Sequence, residues 1–159
     1  MVVAKESELR ISRIVMAPGG MPVPLSSLIA LRVPLVGQSV HAGFPSPADD
    51  FIEDMIDLNQ VLVQNPTATF LWRVVGDCMV DVKIFPGDVV VVDRSLSPKH
   101  RNIVLAIIDG EPTLKRLNRR GGVMVLHNEN AKLPPFLISE GTEVSIWGVV
   151  TATIRDLKK

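Results

Sequence analysis

From residue 67 onward the chain alternates between short apolar runs and clusters of turn residues. The runs are rich in valine and isoleucine, and Gly, Pro, Asn and Asp separate them, which is typical of strands and turns. The run 89–92 is four valines in succession and is apolar on both faces, so it is predicted to be a central strand. Further strands are predicted at 68–75, 103–108, 123–126 and 143–153. The pattern predicts a mainly β fold that is small, twisted and partly barrel-like.

One more strand, 113–117, follows the hairpin-turn signal Asp109-Gly110 and contains a lysine. Side chains alternate in direction along a strand, so Thr113, Lys115 and Leu117 are expected to share one face. Arg116 then lies on the other face. A lysine that shares a face with an apolar residue is costly unless it has a partner or a task. Lys115 is therefore a candidate functional residue.

The residues before 67 are less regular. Acidic and apolar side chains mix over 49–64, and Ser46 followed by Pro47 suits the start of a helix. A short helix is predicted up to about Met55, followed by a looser segment at 56–60. The first forty residues have no clean period and contain several prolines, so we interpret them as an extended N-terminal arm. Prolines occupy the space that the two helices of a helix-turn-helix would need, so no sequence-specific DNA binding is predicted.

The overall composition is that of an ordinary globular domain. The 159 residues are 47% hydrophobic, which is enough for one domain with a sizeable core. Seventeen basic and seventeen acidic side chains give a formal net charge of zero, so no global field attracts nucleic acid. The single cysteine excludes an internal disulfide and a multi-cysteine metal site, and no cofactor is predicted. No apolar run reaches the roughly 18 residues of a membrane span, so the chain is predicted to be cytoplasmic, with no membrane partner.

The single cysteine, Cys78, lies on a turn directly after the predicted strand 68–75. A buried strand gives such a turn a rigid base, so the thiol can be presented rather than buried. A nucleophilic thiol needs a base to take its proton, and Lys115 is the best candidate in the sequence. A lysine surrounded by strands loses the water that stabilises its charge, which favours the neutral amine that a base must be.

A third segment, His41-Ala42-Gly43-Phe44-Pro45-Ser46-Pro47, places two small residues next to a proline-rich turn. Small residues flanking a peptide bond let an extended chain enter a narrow active site, and glycine lets the carbonyl be approached closely. Without other information, an Ala-Gly pair in this setting is usually just a loop.

Three segments together resemble the LexA/UmuD family of self-cleaving SOS-response proteins, in both order and spacing, over roughly residues 42–150. They are Gly43-Phe44-Pro45-Ser46-Pro47-Ala48, Gly76-Asp77-Cys78-Met79 and Thr113-Leu114-Lys115-Arg116-Leu117. The family has a serine where Cys78 stands and a lysine where Lys115 stands, and these two form a Ser-Lys dyad. The sequence departs from the family at Cys78 itself and at Val82-Lys83, where a glycine is usual.

The resemblance implies a site, a fold and a domain division. Cys78 takes the nucleophile position, Lys115 is the general base, and Ala42-Gly43 is the bond that the protein cuts in itself. The implied fold is a β fold of the LexA/signal-peptidase type with one short helix. Residues 1–42 would be the arm that cleavage removes, and residues 43–159 the peptidase and dimerisation domain.

The resemblance also implies a function and partners. A RecA filament on single-stranded DNA would hold the arm in the active site, and the cleaved protein would assist an error-prone UmuC-type translesion DNA polymerase. The family is homodimeric. The competing hypothesis is a binding protein that engages polymerase or RecA without protease activity. A LexA-type repressor is a third and weaker hypothesis, because the chain has no basic recognition helix.

Three interpretations of Cys78 stay open at this point. It can be the nucleophile of a working thiol-lysine protease. It can be a substitution that weakens or abolishes cleavage, because sulfur is larger than oxygen and can misplace the carbonyl relative to its amide donors. It can also be a core cysteine unrelated to Lys115, because free cysteine is often buried.

Overall fold

Eight strands and one short α-helix make up the described part of the chain, residues 32–36 and 52–158 of a computed structural model. The mainly β prediction is therefore confirmed. In chain order the elements are β1 (Arg32–Val36), β2 (Ile52–Asp57), α1 (Leu58–Leu62), β3 (Thr69–Arg73), β4 (Val89–Asp93), β5 (Ile103–Ile108), β6 (Glu111–Arg120), β7 (Val123–His127) and β8 (Val144–Ile154), with a 3-10 turn at Val80–Val82.

Six of the strands form one antiparallel sheet in the order β3-β4-β8-β5-β6-β7. The last strand in the chain, β8, lies in the middle and separates the β3–β4 pair from the β5–β6–β7 meander. Among the described strands β3 and β7 each pair on one side only. The sheet is therefore open and does not close into a barrel.

Apolar strands at the centre of this sheet build a core on both of its faces. All five residues of β4 are buried, as predicted for the valine run. Along β5, Leu105 belongs to one buried cluster, with Val90, Val92 and Leu114. Its neighbours Val104 and Ala106 belong to a second cluster, with Leu117 and Leu126. The period-2 alternation of the sequence thus separates the two halves of the core.

The hairpin between β5 and β6 forms where the sequence predicts it. Asp109 and Gly110 take φ values of 49° and 85°. Two successive residues with positive φ give a tight turn whose twist matches that of the flanking strands. The turn fixes the register of β6 against β5, in which Lys115 is the partner of Val104.

The helix predicted up to Met55 is wrong over the described residues. Residues 52–57 form β2, which pairs with β1 in a separate two-stranded sheet with Arg32 opposite Asp57. The short helix begins later, at Leu58, where the Asp57 side chain accepts a hydrogen bond from the Asn59 N–H at 3.0 Å and caps it. The mixed acidic and apolar pattern fits either element, and the distant partner strand decides between them.

Several predictions concern residues outside the described ranges. They include most of the arm, the helix start at Ser46-Pro47 and the Ala42-Gly43 bond. Residues 32–36 of the arm are described, and they form β1, which pairs with β2. No helix within 32–36 and 52–158 is long and apolar enough to cross a membrane.

Candidate active site

Cys78 lies in the connection between β3 and β4, and the two ends of this connection are hydrogen-bonded to each other. The Val74 N–H donates to Asp88 O at 2.8 Å, and the Gly87 N–H donates to Val74 O at 2.9 Å, so the β3–β4 ladder continues two residues beyond the strands. Gly76 has a φ of 81°, which lets the chain turn sharply before the cysteine. The Cys78 side chain is half-buried against the first core cluster. The strand that leads to the turn is predicted to be buried, but β3 is mostly half-buried, because it pairs on one side only.

The chain after Cys78 returns through the 3-10 turn Val80–Val82 to Lys83. Lys83 takes a φ of 65°, in the left-handed region that glycine favours. This is one of the two positions where the motif is expected to carry a glycine. Lys83 thus adopts a conformation that favours glycine, although it is not one.

An ion pair between the buried Asp88 and the exposed Arg155 fastens the same connection to the end of β8. The Asp88 carboxylate, 3% exposed, accepts hydrogen bonds from Arg155 Nε at 2.7 Å and Nη2 at 2.6 Å. Nη2 also donates to Lys83 O at 2.6 Å. The hydrogen bond with Asp88 raises the pKa of Arg155. Arg155 thus ties β8 to the backbone on the far side of the Cys78 turn.

Lys115 is a buried amine on the regular strand β6. Only 5% of it is exposed, and its Nζ donates to Thr113 Oγ1 at 2.7 Å and to Leu114 O at 3.2 Å. Nζ also lies 5.0 Å from the centre of the Phe136 ring. Within the described residues no carboxylate forms an ion pair with Lys115. A structural ion pair therefore does not explain why this lysine is buried, and Lys115 remains a candidate functional residue.

The two predicted site residues converge on one carbonyl group. Cys78 Sγ donates to Leu114 O at 3.4 Å, and this is the same oxygen that accepts from Lys115 Nζ. No direct hydrogen bond joins these two described side chains. The structure thus brings the thiol and the amine to a shared acceptor, although the two residues are 37 positions apart in sequence.

A groove of about 380 Å³ opens beside Cys78. It is lined by the end of β3 with the Cys78 turn, by the centres of β4 and β5, and by the start of β6 with Thr113 and Leu114. The lining is mostly apolar. Val75, on the rim, is 89% exposed. A groove of this kind fits an extended chain with small apolar side chains better than a charged ligand.

Two backbone donors at the turn are left without an acceptor. Within the described residues, the N–H groups of Asp77 and Cys78 form no hydrogen bond. Cys78 is half-buried and Asp77 is exposed, and neither N–H is used by another group of the described structure. Such donors are what a tetrahedral oxyanion requires.

A segment that sequence reasoning missed holds the Cys78 turn from one side. The Glu129 N–H donates to Cys78 O at 2.7 Å, and Glu129 O accepts from the Asp81 N–H at 2.9 Å. Asn130 Nδ2 donates to Asp77 O at 2.9 Å, and Asp81 Oδ2 accepts from the Ala131 N–H at 2.7 Å. The only trace of this segment in the sequence is the polar run Asn128-Glu129-Asn130 after an apolar strand, which reads as an ordinary loop.

The residues predicted as a cleavage site, Ala42 and Gly43, lie outside the described ranges. The described strands on either side of them are paired, with Val36 opposite Ile52. The described residues contain no cluster of His, Cys, Asp or Glu placed to hold a metal ion.

Comparison with known proteins gives a consistent result. The Peptidase S24-like family matches residues 34–151. Protein MucA of Salmonella typhimurium is 42% identical over 123 residues, which are 77% of this chain and 84% of that protein. Protein SamA of Salmonella typhimurium strain LT2 is 39% identical over 132 residues, 83% of this chain and 91% of that protein. LexA repressor 1 of Geobacter sulfurreducens is 37% identical over 130 residues, 81% of this chain and 63% of that protein. The chain therefore belongs to the Peptidase S24-like family, the family of the LexA- and UmuD-type proteins that its motifs resemble.

Proposed function

We propose that this protein is a UmuD-type SOS-response protein that cuts its own chain between Ala42 and Gly43, with Cys78 as nucleophile and Lys115 as general base. The observation that carries the proposal is the shared acceptor: Cys78 Sγ and Lys115 Nζ both bond Leu114 O beside an open apolar groove. Lys115 is buried without an acidic partner among the described residues, as a base must be.

The chemistry is an acyl transfer in two steps. Lys115 takes the proton of the Cys78 thiol, and the sulfur attacks the carbonyl carbon of Ala42. The C–N bond to Gly43 then breaks, Lys115 returns the proton to the leaving amine, and Ala42 is left as a thioester on Cys78. Water hydrolyses the thioester, which frees the thiol and a carboxylate at Ala42. No cofactor takes part.

The turn supplies the second requirement of this chemistry. During attack the carbonyl electron pair moves to oxygen, and the negative charge needs fixed donors nearby. The N–H groups of Asp77 and Cys78 are free for that task within the described structure. The small residues Ala42 and Gly43 suit the narrow apolar groove, because neither brings a side chain that would clash with its walls.

Membership of the family supports the biological role that we propose. A RecA filament on single-stranded DNA promotes cleavage by holding the arm, residues 1–42, in the groove. Residues 43–159 then act as a homodimer that assists an error-prone UmuC-type polymerase in the cytoplasm. The protein does not bind DNA in a sequence-specific way itself.

The test is the mass of the purified full-length chain after incubation at mildly alkaline pH, and again with RecA, nucleotide and single-stranded DNA. Cys78→Ala, Cys78→Ser and Lys115→Ala are run in parallel. A fragment that begins at Gly43, and that is lost in Cys78→Ala and Lys115→Ala, supports the proposal. An uncut wild-type chain under both conditions would refute it.

A second candidate function is a regulator that binds polymerase or RecA without cutting itself. The observation in its favour is the nucleophile itself, because a sulfur atom in a site shaped for oxygen can sit too far from its amide donors. Cleavage in Cys78→Ser but not in the wild-type chain would select this function. Retention of a UmuC-type polymerase by the uncut chain in a pull-down would then show what it binds.

A further inference from the structure

The orientation of one free donor at the Cys78 turn is set by a residue that touches neither the thiol nor the groove. Asp77 C=O and Cys78 N–H belong to the same peptide unit, which is planar and trans. The two groups therefore point in opposite directions. Whatever holds the Asp77 oxygen also aims the Cys78 N–H.

Asn130 holds that oxygen. Its Nδ2 donates to Asp77 O at 2.9 Å, and its Oδ1 accepts from the Lys132 N–H at 3.0 Å, so both ends of the amide are fixed. Only 6% of Asn130 is exposed, which protects these bonds from exchange with water. The one other donor to Asp77 O among the described residues is the Val80 N–H, at a longer 3.3 Å.

The next peptide unit is held in the same way. The Glu129 N–H donates to Cys78 O at 2.7 Å, which fixes the plane that Cys78 shares with Met79. The cysteine thus lies between two peptide units whose carbonyls are both bonded to successive residues of one segment. Rotation of the turn about the Cys78 backbone would break one bond or the other.

We propose that Asn130 is a positioning residue that aims the Cys78 N–H at the developing oxyanion. The inference rests on the proposed acyl transfer at Cys78 and adds a residue to it. Sulfur attack on the carbonyl forms an S–C bond and moves a carbonyl electron pair to oxygen, and the Cys78 N–H donates to that oxygen only if its peptide plane is held. Asn130 itself touches no reacting atom.

The test compares two reactions of the same thiol that differ in their need for an oxyanion donor. Alkylation by iodoacetamide displaces iodide and forms no oxyanion. Addition to a peptide aldehyde with the sequence of residues 38–42 forms an S–C bond and an oxygen that the N–H must stabilise. Cys78 is the only cysteine, so both reactions report on it alone in the full-length chain.

The variants are Asn130→Asp, which keeps the size and the Oδ1 acceptor but loses the donor, and Asn130→Ala. The matched control is Asn128→Asp, two residues away, whose amide donates to Pro134 O at 3.1 Å and not to the turn. We expect the affinity of both Asn130 variants for the aldehyde, and their rate of self-cleavage, to fall by about 10- to 100-fold. Complete loss of an oxyanion donor costs more, roughly 100- to 1,000-fold. Alkylation should stay within about twofold of wild type, and the control should resemble wild type in every reaction.

Two results would overturn the inference. One is wild-type aldehyde binding by both Asn130 variants. The other is an equal loss of alkylation and aldehyde binding, which would show general damage to the turn rather than a misaimed donor. If the wild-type chain binds the aldehyde in an Asn130-dependent manner but never cuts itself, the proposed self-cleavage fails while the role of Asn130 stands.

Discussion

The two halves of the candidate site are positioned by opposite means. Lys115 belongs to a regular strand, and a tight hairpin with β5 fixes its register. Cys78 lies on an irregular turn, and the residues that hold its carbonyl and that of Asp77 are about fifty positions later in the chain. Lys115 is thus placed by local structure and Cys78 by long-range hydrogen bonds. Changes in distant loops should therefore disturb the nucleophile first.

One strand joins the two halves. β8 lies between β4, which follows the Cys78 turn, and β5, which precedes the strand of Lys115. Arg155, directly after β8, is bonded to Asp88 in the connection that carries Cys78. The packing of β8 therefore affects how Cys78 and Lys115 lie relative to each other.

The largest expected effect is at the base. Lys115→Met should slow self-cleavage by about 100- to 10,000-fold, the usual range for loss of a general base. Because the strand is held by its hairpin, the fold should survive. Methionine is of similar length and brings no polar amine to bury among the surrounding apolar residues, so the melting temperature should rise. Cleavage assays and thermal unfolding check both parts.

Lys99→Met is the control for that variant, because Lys99 is exposed and lies outside the site. It should cut itself at the wild-type rate. Cleavage of Lys115→Met at the wild-type rate would contradict the proposed role of Lys115 as the base. An unfolded Lys115→Met chain would contradict the claim that the β5–β6 hairpin alone positions residue 115.

The next largest effect is expected in β8, the strand that lies between the Cys78 half and the Lys115 half of the site. A Cβ at Gly148 would lie 2.7 Å from Val92 Cγ1 and 3.0 Å from Asp93 O, where no heavy atom fits. Gly148→Ala should therefore lower the free energy of unfolding by about 1–3 kcal/mol, the usual cost of overpacking a core. Urea unfolding measures it, with the exposed β8 residue Ser145 changed to Ala as a control. If Gly148→Ala were as stable as wild type, β8 would tolerate a wider separation from β4, and the expected overpacking would be contradicted.

The smallest effect is a pH dependence at the end of β4. Burial would raise the pKa of Asp93, but hydrogen bonds from Ser95 and Asn65 outweigh it and lower that pKa. A lowered pKa in the folded state contributes stability above the unfolded pKa of about 3.9, and that stability is lost as pH falls through the folded value.

Asp93→Asn should therefore destabilise the protein most near neutral pH, and its difference from wild type should shrink as the solution is acidified. Denaturant unfolding between neutral and acidic pH follows the difference. Glu111→Gln, an exposed carboxylate in the Lys115 half, serves as control and should show no such trend. If the stability difference between Asp93→Asn and wild type grew as the pH fell, the lowered pKa of Asp93 would be contradicted.

The sequence was sufficient for features that depend on near neighbours. The valine run of β4, the Asp109-Gly110 hairpin and the shared face of Lys115 and Leu117 all follow from period and turn chemistry. The motif around Cys78 located the turn as well. These features are fixed within ten residues of chain, so a single sequence contains their causes.

Features that depend on distant partners could not be predicted in this way. Residues 52–57 form a strand because β1 pairs with them, although their spacing also suits a helix. Asn130 lies 53 positions after Asp77, the residue whose carbonyl oxygen it holds, and nothing near Asn130 marks it. The shared Leu114 carbonyl is a backbone group, which no pattern of side chains reveals.

The central claim is that Cys78 itself attacks the Ala42 carbonyl, and a peptide map of the acid-quenched reaction tests it most directly. Acid preserves a thioester, so digestion and mass spectrometry can find the peptide ending at Ala42 joined to the peptide containing Cys78, with Gly43 as a new N-terminus. The account predicts this branched species early in the wild-type reaction and its absence in Cys78→Ala. A Cys78→Ala chain that still yields a fragment beginning at Gly43 would contradict the account.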